Sequence, residues 1–303
     1  LAELFSLFYS NLLPIFLATG AGYLLAHRLK VPVRPLSQAA FYIFSPCLIF
    51  SIILSSNINA EDAGLMVLFT LVISLLMGLL SWITGRLLRL DRKEAISIAL
   101  PTMFTNAGNY GLALVLFAFG EEALAFAAIF FVTNALLAYS LGAVTASLGS
   151  RNLTDSLKGL FRVPALYAMI LGLVISSLGW KLPLPVDRAV NLLADASIPV
   201  LMVVLGMQLQ AVKWQASRKT ILAVTILRLG IAPLVAFWLS GILGMEGPML
   251  QAAVLEASMP SAILNTVLAT EYNLQPTLVT AAVFMTTLLS PLTLTPLLAI
   301  LGG

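Results

Sequence analysis

LPTMFTNAGNYGLAL, at Leu100–Leu114, lies inside a long apolar run, yet it gathers Pro101, Thr105, Asn106, Gly108, Asn109 and Gly111. LEASMPSAILNT, at Leu255–Thr266, does the same with Glu256, Ser258, Pro260, Ser261, Asn265 and Thr266. A proline within a helix removes a backbone hydrogen bond, and Gly and Asn accept unwound conformations. Each stretch therefore predicts a break in the middle of an otherwise helical segment, with Gly108, Gly111 and Pro260 as the breaking residues.

The sequence around these breaks is membrane-spanning in character. Of 303 residues, 60% are hydrophobic and only 10% charged, with mean hydropathy +1.02. A soluble domain of this size needs more charge to cover its surface. Apolar runs near twenty residues match a hydrocarbon core of about 30 Å at about 1.5 Å per residue. Ten spans are predicted: Leu4–Ala26, Leu36–Ser55, Leu65–Gly85, Ala95–Phe119, Ala123–Leu148, Pro164–Leu178, Asp187–Gln208, Ile221–Leu243, Pro248–Thr270 and Pro276–Leu301. The chain begins at Leu1, so a few native residues are expected ahead of it. Its first apolar run is too long for a signal-peptide core and lacks a basic flank. The single Cys47 excludes an internal disulfide and reads as a small packed hydrophobe.

Thirteen of the sixteen Lys and Arg fall in alternate loops: Arg28, Lys30, Arg34; Arg86, Arg89, Arg92, Lys93; Arg151, Lys158, Arg162; and Lys213, Arg218, Lys219. The other loops hold Lys181 and Arg188 beside Glu61, Asp62, Glu121, Glu122, Asp187 and Glu246. Positive loops stay inside, so the reading is a multi-pass protein of the cell membrane with both termini outside. The excess of basic residues is a topology signal and not a nucleic-acid footprint.

The halves repeat. Pro14, Gly22 and Pro35 match Pro164, Gly172 and Pro185 at an offset of 150, and Pro46 matches Pro199 at 153. WITG at Trp82–Gly85 meets WLSG at Trp238–Gly241 at 156, and AAIFFVTNALL at Ala127–Leu137 aligns with TAAVFMTTLLS at Thr280–Ser290. A repeat of five spans must lie inverted in the bilayer, the arrangement of many secondary transporters, whose sites sit at midplane on discontinuous helices. The expected architecture is all-α: residues 1–150 form one five-helix repeat and 151–303 its inverted copy. Broken spans four and nine cross at the centre.

Three ionisable residues fall within spans: Asp195, Arg228 and Glu256. Charges at that depth usually face a cavity or a partner. Arg228 is read either as a clamp for a substrate carboxylate or as half of a buried pair with Glu256 or Asp195. Glu256 is read as a cation or proton site. Candidate substrate contacts are Asn106, Asn109, Tyr110, Arg228, Ser261 and Asn265, with aromatic packing the other reading of Tyr110. Pro46 and Pro199 read as kinks. A channel should show a continuous polar stripe, whereas polar residues here concentrate at midplane. An intramembrane enzyme lacks its parts: there is no HExxH, no GxSxG, and only one histidine, His27. No cofactor is expected beyond Na⁺ or H⁺ as a coupling ion.

TNAGNYGLALVLFAFG at Thr105–Gly120 and ASMPSAILNTVLATEYN at Ala257–Asn273 resemble the auxin efflux carrier family, the bacterial relatives of plant PIN-FORMED transporters. Asn106, Gly111, Pro260, Glu271 and Tyr272 take the places of its fourth- and ninth-helix motifs. Ala113 stands where plant members have a proline, Asn265 where they have a second one, and their long cytosolic loop shrinks to about a dozen residues near Ser150–Arg162. The resemblance implies transport of small organic anions such as carboxylates, a mobile core of spans three to five and eight to ten moving in an elevator fashion beside a scaffold of spans one, two, six and seven, and a homodimer. More distantly, EASMPS at Glu256–Ser261 is similar to the sodium-site segment of sodium–bile acid symporters. That similarity implies Na⁺ at Glu256 with Asn106, Asn109 and Thr133 as oxygen donors, and a larger amphipathic anion as the alternative cargo. Pro260 and Ser261 replace two ligands of that segment.

Overall fold

A computed structural model describes residues 2–56, 58–147, 163–210 and 217–303, and these are helical apart from short connections. The basic residues Arg151, Lys158, Arg162 and Lys213 lie outside the described residues. The helices are α1 (Ala2–Leu29), α2 (Val33–Ser55), α3 (Ala60–Leu87), α4 (Arg92–Met103), α5 (Ala107–Ala146), α6 (Pro164–Ser177), α7 (Leu184–Leu209), α8 (Arg218–Ile242), α9 (Gly247–Ala257), α10 (Leu264–Glu271) and α11 (Pro276–Leu301). Seven of the described helices (α1, α2, α3, α5, α7, α8 and α11) are long and apolar enough to cross a membrane. Their outward faces stay apolar, with Leu292 73%, Leu192 72% and Leu234 70% exposed, as in a protein whose surroundings are lipid tails rather than water. The chain is an all-α, multi-pass membrane protein.

At 40 residues, α5 would be about 60 Å long if straight, twice a hydrocarbon core. It does not run straight. Gly120 takes φ +79° and ψ −167°, a conformation that other residues adopt only under strain. Glu121 and Glu122 follow at this bend, both exposed. The expected boundary between the fourth and fifth spans, Phe119 to Ala123, falls there.

The packing of helices follows a pattern. α1 lies against α7 and α2 against α6, with α7 also against α2. The α1–α7 approach is close enough that a Cβ on Gly206 would lie 1.8 Å from the carbonyl oxygen of Thr19, and one on Gly22 2.1 Å from that of Val203. Elsewhere α3 packs on α4 and α5, α9 on α5, and α8 on α9 and α11. The main core cluster is built from Phe69, Met66, Ile73, Leu112, Leu114, Val115, Ala127, Phe130, Val254 and Leu255 among others. Buried hydroxyls return to the carbonyl one turn back, as Thr70 does to Met66, Ser74 to Thr70 and Thr287 to Val283. They thus satisfy themselves within their own helix.

Candidate functional site

The two breaks predicted from sequence are present and they touch. The first runs from Phe104 to Asn106, between α4 and α5; the second from Ser258 to Ile263, between α9 and α10. Thr105 and Ser261 form an isolated antiparallel bridge. The Asn106 amide donates to the Pro260 carbonyl at 2.8 Å, and the Ala262 amide to the Phe104 carbonyl at 3.1 Å. Adding 156 to 106 and 104 gives 262 and 260, so each bond maps onto the other. The same offset relates the two tryptophan motifs. These bonds satisfy backbone groups that cannot be left unpaired at membrane depth.

Side chains reinforce the junction. Asn134 Nδ2 donates to the Thr105 carbonyl at 3.1 Å, and Asn265 Nδ2 to the adjacent Phe104 carbonyl at 3.0 Å. Ser261 Oγ donates to the Pro101 carbonyl at 2.7 Å, and its amide to Thr286 Oγ1 at 3.2 Å. What is left is a set of buried polar atoms with no hydrogen-bond partner: Thr105 Oγ1, Asn106 Nδ2, Asn134 Oδ1, Asn265 Oδ1 and both oxygens of Glu256. Burying such groups unpaired costs about 1–3 kcal/mol each, and six of the nine such atoms among the described residues lie at this junction or against it. Oxygens of amide, hydroxyl and carboxyl type are hard donors and fit an alkali cation or a proton. Among the described residues, no group of three His, Cys, Asp or Glu could hold a metal ion.

Asn106, Ser261, Asn265, Glu256, Gly108, Gly111 and Pro260 all fall at the crossing or against it. Glu256, wholly buried in the last turn of α9, presses on Gly111: a Cβ there would lie 2.1 Å from Glu256 Oε2. At Gly108 a Cβ would meet the Phe131 ring at 2.6 Å. Three expected residues behave otherwise. Tyr110 is fully buried, edge-on to Phe16 and 3.2 Å from Ser290 Oγ, a packing position. Thr133 gives its hydroxyl proton to the Ile129 carbonyl, and it is the next residue, Asn134, that reaches the crossing. Asn109 points away, its Nδ2 3.5 Å from Gln208 Oε1 on α7, with Gln208 Nε2 3.4 Å from Ser37 Oγ on α2.

Arg228 requires a correction. Neither the carboxylate clamp nor a pair with Glu256 or Asp195 describes its geometry. Its side chain is 1% exposed and donates from Nε to the Met259 carbonyl at 3.0 Å, from Nη1 to the Thr102 carbonyl at 2.7 Å, and from Nη2 to the Ala257 carbonyl. Both Glu256 oxygens lack a hydrogen-bond partner, and Asp195 is exposed at a cavity. Sequence reasoning missed this because charge suggested charge as the partner, whereas the break itself supplied carbonyls. It missed Asn134 too. The signal was there: AAIFFVTNALL carries its only amide at Asn134.

The cavity, of about 1000 Å³, opens beside the crossing rather than through it. α1, α2, α5 and α7 wall it with Pro14, Leu48, Leu116, Ile198 and Met202, and Asp62, Glu121, Glu122 and Asp195 line it without any Lys or Arg.

The sequence is similar to known transport proteins. A family described as Membrane transport protein matches residues 7–154 and 149–298. An "Uncharacterized transporter" of Methanothermobacter thermautotrophicus is 30% identical over 84% of this chain and 84% of its own. A protein of Rhizobium meliloti named "Putative malonate transporter" is 26% identical over 94% of this chain and 93% of its own. Auxin efflux carrier component 6 of Arabidopsis thaliana is 35% identical over 41% of this chain and 23% of its own. Two matched stretches that between them span almost all of the sequence, together with these relatives, place the chain in the membrane transport protein family of the auxin efflux carriers.

Proposed function

We propose that this chain is a secondary transporter that moves a small organic anion, a carboxylate, across the cell membrane by alternating access. In this reading its helices make ten crossings as two inverted five-helix repeats, 1–150 and 151–303. The helices of spans one, two, six and seven form the scaffold, and spans three to five and eight to ten the moving core. The observation that carries it is the contact between the two broken segments. Two hydrogen bonds that exchange under a single offset of 156 residues are what a two-fold axis in the membrane plane would leave behind. The unpartnered polar atoms around that contact, with Glu256 as candidate cation or proton ligand, give substrate and coupling ion a place to bind. The malonate and auxin names of two relatives support a carboxylate as the class of cargo.

Side-chain placement favours Asn106, Ser261, Asn265 and Asn134 as the polar contacts. The acidic cavity then reads as an access vestibule on the side of the Glu121 loop, outside by loop charge. Opposite it, Asn109, Gln208 and Ser37 join core to scaffold. The vestibule's volume favours a second reading, in which the anion is larger, amphipathic and sodium-coupled.

Counterflow in proteoliposomes tests both. Radiolabelled malonate should accumulate transiently against a load of unlabelled mono- or dicarboxylate, and saturate. Flux that rises linearly with concentration would instead mean a channel, and competition by bulky amphipathic acids in Na⁺ alone would select the second reading.

A further inference from the structure

Arg228 sits where carbonyls from the ends of both broken helices converge. Thr102 belongs to the last turn of α4, Ala257 ends α9, and Met259 lies in the break that follows. The final carbonyls of a helix have no partner inside it and carry the negative end of its dipole. Two such ends face each other here, buried away from water and lipid. Like-signed ends at close quarters repel, and the repulsion is screened least in a low-dielectric interior. Transporters with discontinuous helices meet this problem by placing an exchangeable cation among the carbonyls. This chain places a guanidinium there: three of its N–H groups, in their planar fork, reach the three carbonyls. The residue projects from the π-helical segment Ile226–Ile231 within α8, a local widening of the helix of the kind found at functional sites.

We propose that Arg228 is a tethered cation, standing permanently where an exchangeable ion would otherwise be needed to hold the two helix ends together. One ion is thereby removed from the coupling of the carrier, and only the Glu256 side is left to take one up. Arg228 is a positioning residue in this account, acting through the backbone of both breaks and not on the cargo. The coupling consequence rests on the carrier reading above; the electrostatic role does not.

The test measures thermal unfolding of the full chain in detergent, with no substrate present. Wild type should melt at the same temperature with and without millimolar guanidinium. Arg228→Ala should melt about 5 °C lower or more, and millimolar guanidinium, far below denaturing levels, should restore at least half of that loss. Tetramethylammonium at equal ionic strength should restore none. No recovery in guanidinium or Na⁺, or a recovery equal to any response of wild type, overturns the proposal. If Arg228→Ala cannot be purified, Arg228→Lys against Arg228→Met decides: a lysine variant that survives where methionine fails supports the tethered charge, and equal behaviour of the two overturns it. Rescue with no carboxylate counterflow leaves this inference standing and removes the carrier reading. Counterflow without rescue does the reverse.

Discussion

Glu256 and Gly111 illustrate how little room the crossing leaves. The carboxyl lies where a side chain on residue 111 would have to go, so Gly111→Ala must push either Glu256 or α5 aside. Overpacking of this kind costs about 1–3 kcal/mol, and the melting temperature of Gly111→Ala should fall accordingly, with ligand stabilisation lost as well. Glu256→Gln keeps the shape and removes the ionisable oxygen. It should leave unfolding nearly unchanged while cutting counterflow by about tenfold or more, the size of one lost charge-assisted bond. Full transport activity with intact ion dependence in Glu256→Gln would remove Glu256 from the site.

The broken segments are the elements on which the rest turns. Pro101 lies in the last turn of α4 and Pro260 in the second break, and neither can supply an amide to a helix ladder. The carbonyls freed by the breaks are taken up by Asn134, Asn265, Ser261 and Arg228. Beside this cluster, Asn109 of α5 reaches Gln208 of α7, which reaches Ser37 of α2. At 3.5 and 3.4 Å these bonds are long and contribute little to stability. A chain of this kind can therefore be broken and remade during transport. Asn109→Ala and Gln208→Ala should each shift stability by no more than about 0.5 kcal/mol yet change the counterflow rate. The double variant should match Gln208→Ala, because that variant already removes both bonds while Asn109→Ala removes only the first. Additive effects on rate would detach this contact from the transport cycle.

At the scale of the whole molecule, the sides assigned from loop charge are a topological claim that chemistry can check. In a Cys47→Ala background, Glu122→Cys should react with a membrane-impermeant maleimide in intact cells, and Arg89→Cys only after permeabilisation. Labelling of both, or the opposite order, would break the assignment of sides made from loop charge. The packing of α1 on α7 and α2 on α6 is what a two-fold would produce, since it exchanges span one with six and two with seven.

Much of this was legible in the chain itself. Hydrophobic runs and loop charges determine helices whose described ends agree with the expected spans to within several residues, because bilayer thickness acts on composition locally. The breaks at Thr105 and Ser261 were readable too, since proline and glycine act on the backbone of their own segment. What only the tertiary structure decided is where the polar groups go. Arg228 was expected to meet a carboxylate and instead meets three carbonyls from two distant segments. Asn134 enters the crossing while Thr133 beside it turns back on its own helix. Asn109 faces α7 and not the crossing. Each of these outcomes depends on which buried group lies within hydrogen-bond distance after the helices have packed, a distance that no local pattern of residues encodes.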